Sequence, residues 1–183
     1  MSLQQLGELL PAYARDLKLN LQSVLQQAEL TEQQIWSVAV ACALASRNER
    51  LSQAIAGEAA AHLSPAALES AKAAFAVMGM NNVFYRFKHI VGRDEYSPIP
   101  ARLRMQIIRS HGGDPVDFEL CCLAVSAINN CEACVRSHEA VLREKGMKEE
   151  QILAGVRIAS IMHAVAGVLD AEAALAAQPA AVA

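Results

Sequence analysis

The chain has 183 residues, 54% of them hydrophobic and only 4% aromatic, with a formal net charge of −3. That length suits one domain with a substantial core. Scattered Lys and Arg offer no basic face for nucleic acid, and no continuous apolar run approaches the roughly 18 residues of a membrane span. Five cysteines, Cys42, Cys121, Cys122, Cys131 and Cys134, are an odd number in a mid-sized chain expected to be unexported, which argues against a structural disulfide framework. The expectation is a soluble, cytoplasmic protein whose core is built from Ala, Leu, Val, Ile and Met.

Turn and cap signals divide the chain into helices with hardly a strand-like alternation among them, which makes the fold class all-α. A short helix runs near Leu3 to Leu10, and Pro11 opens a second to about Ala28. Thr31, with Gln33 and Gln34 behind it, caps a third to about Ser46, and Asn48 starts another to about Ala61. Ser64-Pro65 begins an Ala-rich helix that leads through Met78 to Arg86 and beyond, and its Met and aromatic residues read as packing. A loop spans Gly92 to Pro100, and a short helix near Ala101 to Arg109 precedes the breaker-rich His111-Gly112-Gly113-Asp114-Pro115. Three further helices fit Val116 to Asn129, Asn130 to Glu144 stopped by Gly146, and Lys148 to Ala176, with a frayed end from Gln178.

An internal repeat shows at an offset of 85, which lays Ile35-Trp36-Ser37-Val38-Ala39-Val40 over Leu120-Cys121-Cys122-Leu123-Ala124-Val125. Leu68 and Lys72 then lie over Leu153 and Arg157. A single domain of residues 1–183 would thus hold a scaffold repeat at about 31–90 and a catalytic repeat at about 116–176. In that register Gln34, Ser46, Glu49 and Gln53 stand where the second copy carries Glu119, Cys131, Cys134 and His138.

Those four residues carry the chemistry. Cys131 and Cys134 are spaced i,i+3, which on a helix puts their Cβ atoms about 5–6 Å apart, against about 3.8 Å in a relaxed disulfide, so a bond closes with local adjustment. Asn130 reads as an N-cap that places Cys131 in the first helical turn, where free N–H groups favour thiolate. His138, four residues after Cys134, is the natural base for that thiol. Glu119 sits in a segment apolar nearly all round, so its carboxylate has to be paired or protonated, and beside an imidazole it would form a proton relay. By itself the CxxC leaves a redox dithiol and half of a zinc site both open, and a non-catalytic helical scaffold remains a third reading. Cys42, Cys121 and Cys122 read as buried hydrophobes, and His62, His89, His111 and His163 as structural or surface residues.

Phe118-Glu119-Leu120, Ala124-Val125-Ser126-Ala127-Ile128-Asn129, the Cys131/Cys134 pair with His138-Glu139, and Met78-Gly79-Met80-Asn81-Asn82-Val83-Phe84-Tyr85-Arg86 together resemble the AhpD-type alkylhydroperoxidases of the carboxymuconolactone decarboxylase-like superfamily. Leu9-Leu10-Pro11-Ala12-Tyr13-Ala14-Arg15-Asp16 extends the resemblance to nearly the whole chain. It implies an all-helical AhpD-like fold, a homotrimer or higher oligomer, and reduction of small organic hydroperoxides. Cys134 would be the peroxidatic cysteine that passes through a sulfenic acid, and Cys131 the resolving one, with Glu119 and His138 relaying protons. It further implies regeneration of an AhpC-like peroxiredoxin. Electrons would come from a dihydrolipoyl group on a lipoylated acyltransferase, reduced in turn by a flavin dehydrogenase from NADH, with no tightly bound cofactor and no metal. In known members a histidine stands immediately before the second cysteine, whereas this chain has Ala133, which removes a proton donor. A disulfide relay with little peroxidase activity, or a carboxymuconolactone decarboxylase-type enzyme, would be the alternatives.

Overall fold

The computed structural model describes residues 1–177 and contains no strand among them. Nine α-helices follow in order: α1 Leu3–Glu8, α2 Arg15–Val24, α3 Glu32–Ala45, α4 Glu49–Ala59, α5 Pro65–Val91, α6 Ile107–Ser110, α7 Pro115–Ile128, α8 Glu132–Glu144 and α9 Glu149–Ala176. Single 3₁₀ turns lie at Ala12–Ala14 and Asp94–Tyr96. The expected frayed end from Gln178 lies outside the described residues.

The cap residues act as their chemistry requires. The Thr31 hydroxyl accepts from Gln34 N while the Gln34 side chain accepts from Thr31 N. Ser64 caps α5 with Pro65 at the first position, and Asp114 accepts from Val116 N and Asp117 N ahead of Pro115. Two expected spans are shorter than read. The stretch after Pro11 opens as a 3₁₀ turn and its helix stops at Val24. The segment from Ala101 is helical only over Ile107–Ser110, because Arg102 takes φ 52°, which a right-handed helix cannot accommodate.

Helices α3 and α7 form the centre. Each is buried nearly all round, and each packs on α5 and α9 as well as on the other. The approach of α9 to α7 depends on Gly155, where a Cβ would come within 2.8 Å of Leu120 Cδ1. Helix α9 is long and apolar enough to cross a bilayer, with one window of mean hydropathy 1.9, yet half of that window is buried in the protein. Ile158, Met162, Val165 and Leu169 on α9 belong to the common core, which accounts for its apolar character.

Laid beside one another, α3–α4–α5 and α7–α8–α9 are not offset uniformly. Both ends of α3 and α7 differ by 83 (Glu32 to Pro115, Ala45 to Ile128), as do the starts of α4 and α8 (Glu49 to Glu132). The ends differ by 85 for α4 and α8 (Ala59 to Glu144) and for α5 and α9 (Val91 to Ala176). Helix α8 has 13 residues against 11 in α4, and those two extra residues absorb the change. At the register of the helix starts, Glu119, Cys131, Cys134 and His138 therefore face Trp36, Asn48, Leu51 and Ile55, not the residues aligned at 85.

Candidate active site

The turn between α7 and α8 determines where the cysteines stand. Asn130 is not the N-cap of α8: it takes φ 53° in the left-handed region, which asparagine tolerates better than most residues. Its N–H donates to Ala127 O while Cys131 N donates to Ser126 O, the paired bonds that close a helix C-terminus around a left-handed residue. Arg86 Nη1 from α5 adds a bond of 2.7 Å to the Asn129 carbonyl. With α7 closed this way, Cys131 itself becomes the N-cap of α8 and Cys134 the third residue of its first turn. No side chain caps this helix start.

Cys131 and Cys134 are joined as a disulfide with Cα atoms 5.3 Å apart. Cys131 is fully buried, whereas Cys134 is 7% exposed and opens onto a cavity of about 400 Å³. Around that cavity stand Met78, Asn81 and Tyr85 from α5, Met105 and Ile108 from the α6 region, and Ala133, Cys134, Ser137 and His138 from α8. Cys131 is not among its wall residues.

His138 reaches back to α7. Its Nδ1 lies 2.6 Å from Glu119 Oε2, and both side chains are about one-sixth exposed, at 16% and 17%. The partner that a carboxylate in this apolar helix required is therefore the imidazole. As a carboxylate Glu119 accepts here from Nδ1. His138 Nε2 lies 3.3 Å from Met78 Sδ, another residue of the cavity wall. A carboxylate hydrogen-bonded to an imidazole that shares a cavity with a cysteine has the composition of a base with its orienter.

Behind the cavity a second polar layer ties α5 to the cysteine turn. Asn82 Nδ2 donates to Ser126 Oγ at 2.9 Å, and Asn129 Nδ2 donates to Asn82 Oδ1 at 2.9 Å. On the outer side Glu132, between the cysteines, pairs with Arg136 at 2.6 Å and with His89 at 3.0 Å. The hydrogen bond from Arg136, then that from His89, holds the Glu132 carboxyl below its ordinary range.

The remaining sulfurs are apart from this chemistry. Cys42, Cys121 and Cys122 are buried in the core, and burial pushes all three thiols up, away from thiolate. His62 stacks on Trp36 and pairs with Glu32, and His111 stacks on Phe118 and meets Ser70 Oγ at 2.8 Å. His163 is exposed. Among the described residues no three His, Cys, Asp or Glu side chains converge as a metal-ligand set.

All four residues read from the sequence thus meet at the junction of α7 and α8. What that reading missed is the contribution of α5: Met78 and Tyr85, assigned to packing, and Asn81, given no role of its own, are cavity wall. The signal was present in Asn81-Asn82, two carboxamides in the middle of a long apolar helix, where each needs a reason to be buried. Met105 and Ile108 carried no local signal.

An all-helical scaffold whose cavity is lined by one sulfur of a CxxC disulfide and by the imidazole of a carboxylate–imidazole pair fits a thiol-dependent oxidoreductase. Sequence comparison agrees. The carboxymuconolactone decarboxylase family model matches residues 95–177. Relatives named alkyl hydroperoxide reductase AhpD match nearly end to end. The one from Solibacter usitatus is 60% identical over 173 residues, 94% of this chain and 98% of its own. That from Acidobacterium capsulatum is 54% identical, covering 94% of both, and that from Rhodospirillum centenum 52% identical over 97% and 96%. The chain belongs to the alkyl hydroperoxide reductase AhpD family.

Proposed function

We propose that this protein reduces small organic hydroperoxides with Cys134 as the attacking thiol and Cys131 as the resolving one. The observation that carries the assignment is that, of the two sulfurs, only Cys134 opens onto the cavity, in company with His138. With the disulfide reduced, His138 Nε2 takes the Cys134 proton and Glu119 stabilises the imidazolium through Nδ1. The thiolate attacks the distal peroxide oxygen: an S–O bond forms, the O–O bond breaks, and the alkoxide leaves as alcohol with the proton from His138. Cys131 then attacks Cys134 Sγ as thiolate. The S–S bond forms, hydroxide is expelled and protonated, and one water results. Cys131 is adjacent by construction, since the N-cap and third helical position share one turn.

A disulfide on an exposed cavity requires a small dithiol reductant, and a dihydrolipoyl group carried by a partner acyltransferase meets that need without a tightly bound cofactor. The same disulfide exchange, run toward a partner peroxiredoxin, regenerates its thiols. This is a cytoplasmic, reducing-compartment chemistry. We read α3–α5 as a scaffold copy and α7–α9 as the catalytic copy of one helical unit. Val83, Phe87 and Ile90, a stripe on α5 with 60%, 51% and 74% exposure, support burial against other copies in a homotrimer or higher oligomer.

Hydroperoxide consumption by the purified protein with dihydrolipoamide as donor tests the reading. Cys134→Ser abolishes it, and Cys131→Ser leaves a sulfenic acid on Cys134 detectable by mass spectrometry. Activity retained in Cys134→Ser would sink the assignment. One feature supports a second reading as a disulfide relay with little peroxidase activity: Ala133 brings no proton donor to the cavity wall. Peroxide turnover by the protein alone separates the two. A decarboxylase would leave the dithiol without a task.

A further inference from the structure

Asn81 and Asn82 are neighbours on α5, and both are buried, at 5% and 1% exposure. Asn82 is fully engaged, donating to Ser126 and accepting from Asn129. Asn81 differs: its Oδ1 is the one buried side-chain polar atom among the described residues with no hydrogen-bond partner. Leaving a carbonyl oxygen buried and unpaired costs stability, so its retention calls for a donor that arrives from outside the folded chain. The place is specific. Asn81 forms part of the cavity wall together with Cys134, His138 and the apolar side chains of Met105 and Ile108. Oδ1 is itself turned away from the cavity, so accepting from a bound ligand requires a turn of the carboxamide about χ2, a broad and roughly two-fold torsion.

No donor on the wall is bonded to it: the Tyr85 and Ser137 hydroxyls make no hydrogen bond to Oδ1, His138 is paired with Glu119, and Cys134 is in a disulfide. The peroxide reaction supplies one: the distal oxygen of a hydroperoxide carries a hydrogen, and that oxygen is the atom the Cys134 thiolate attacks. When the O–O bond breaks, the same hydroxyl becomes the S–O–H of the sulfenic acid. We propose that Asn81 accepts a hydrogen bond from the hydroperoxide O–H and keeps it as the hydroxyl passes to Cys134. One acceptor then serves substrate and intermediate alike. Asn81 is a binding and specificity residue in this scheme: it favours hydroperoxides, which have a donor, over dialkyl peroxides, which have none. The inference rests on the hydroperoxide reading above and adds a residue to it.

The test measures two reactions of the prereduced, full-length protein by stopped flow: oxidation by tert-butyl hydroperoxide, and reaction with the neutral disulfide probe 4,4′-dithiodipyridine, which has no hydroxyl to hold. In Asn81→Leu the peroxide rate constant is expected to fall roughly 10- to 100-fold, as for loss of one hydrogen bond to a reacting group, while the probe rate stays within about twofold. An unchanged peroxide rate overturns the proposal, and so does an equal fall in both reactions, which marks Asn81 as structural. If Asn81→Leu does not fold, Asn81→Ser decides by the same ratio. It keeps a shorter acceptor and is expected to lose several-fold in the peroxide reaction only, and an unchanged ratio overturns the idea. A wild-type protein that reacts with the probe but not with the hydroperoxide overturns the parent reading and this one together, whereas reactive wild type with unaffected variants overturns Asn81 alone.

Discussion

The turn from α3 into α4 and the turn from α7 into α8 have one backbone plan and opposite chemistry. In each, a helix closes around a left-handed residue, Arg47 at φ 61° or Asn130 at φ 53°, and the next residue is the N-cap of the following helix. The first N-cap is Asn48, whose Oδ1 accepts from Leu51 N at 2.9 Å and whose Nδ2 donates to Asp170 at 2.7 Å. The second is Cys131, which caps nothing and is bonded instead to the side chain at the equivalent third position, Cys134. A capping oxygen has become a sulfur, and the residue it would have capped has become its redox partner. Deeper in, the positions of Glu119 and His138 correspond at this register to Trp36 and Ile55, both buried apolar residues. One turn is committed to stability. The other leaves a helix N-terminus uncapped and aims its polar groups at a cavity.

The largest expected effect follows from removing the orienting carboxylate. Glu119→Gln should slow peroxide oxidation of the reduced protein by about 10²-fold or more, the usual worth of a positioned base, with stopped-flow rates read across pH. His138→Gln should be equivalent, and the double variant no worse than either, because the two act as a unit. Next comes Asn48→Ala, which removes a cap and strands the Asp170 contact, and should cost about 2 kcal/mol in chemical denaturation without changing the thiol rates. In the second turn Cys131→Ser acts in the opposite sense: a hydroxyl can cap Cys134 N, so the variant should be about 0.5–1 kcal/mol more stable than the reduced wild type, though unable to close the disulfide. The smallest effects belong to the left-handed residues. Arg47→Gly should gain about 0.5–1 kcal/mol and Asn130→Gly close to nothing, since asparagine already tolerates that conformation. Equal responses at Arg47 and Asn130 would break the parallel between the turns.

The legible part of the site lay in short-range signals. Cys134 and His138 share one helix that Cys131 opens, so spacing alone brings the three close, and Glu119 declared itself as a charge in an apolar run. The Asn130 reading failed for an instructive reason: asparagine serves both as an N-cap and as a left-handed C-terminal residue, and only the bonds of Ala127 and Ser126 show which helix it serves. The 85-residue offset matches Ala-rich letters and the ends of the later helices, while the starts of α3 and α7 and of α4 and α8 are 83 apart.

Sequence by itself determined the helical class and most of the caps and singled out the four candidate residues, because capping, periodicity and i,i+4 spacing act within a few residues of chain. Only the tertiary structure decided which sulfur meets the cavity, that His138 pairs with Glu119 through Nδ1, and that Asn81 is left unpaired where Asn82 is not. Those outcomes depend on how α5 lies across α7 and α8, and packing between helices far apart in sequence has no local signature.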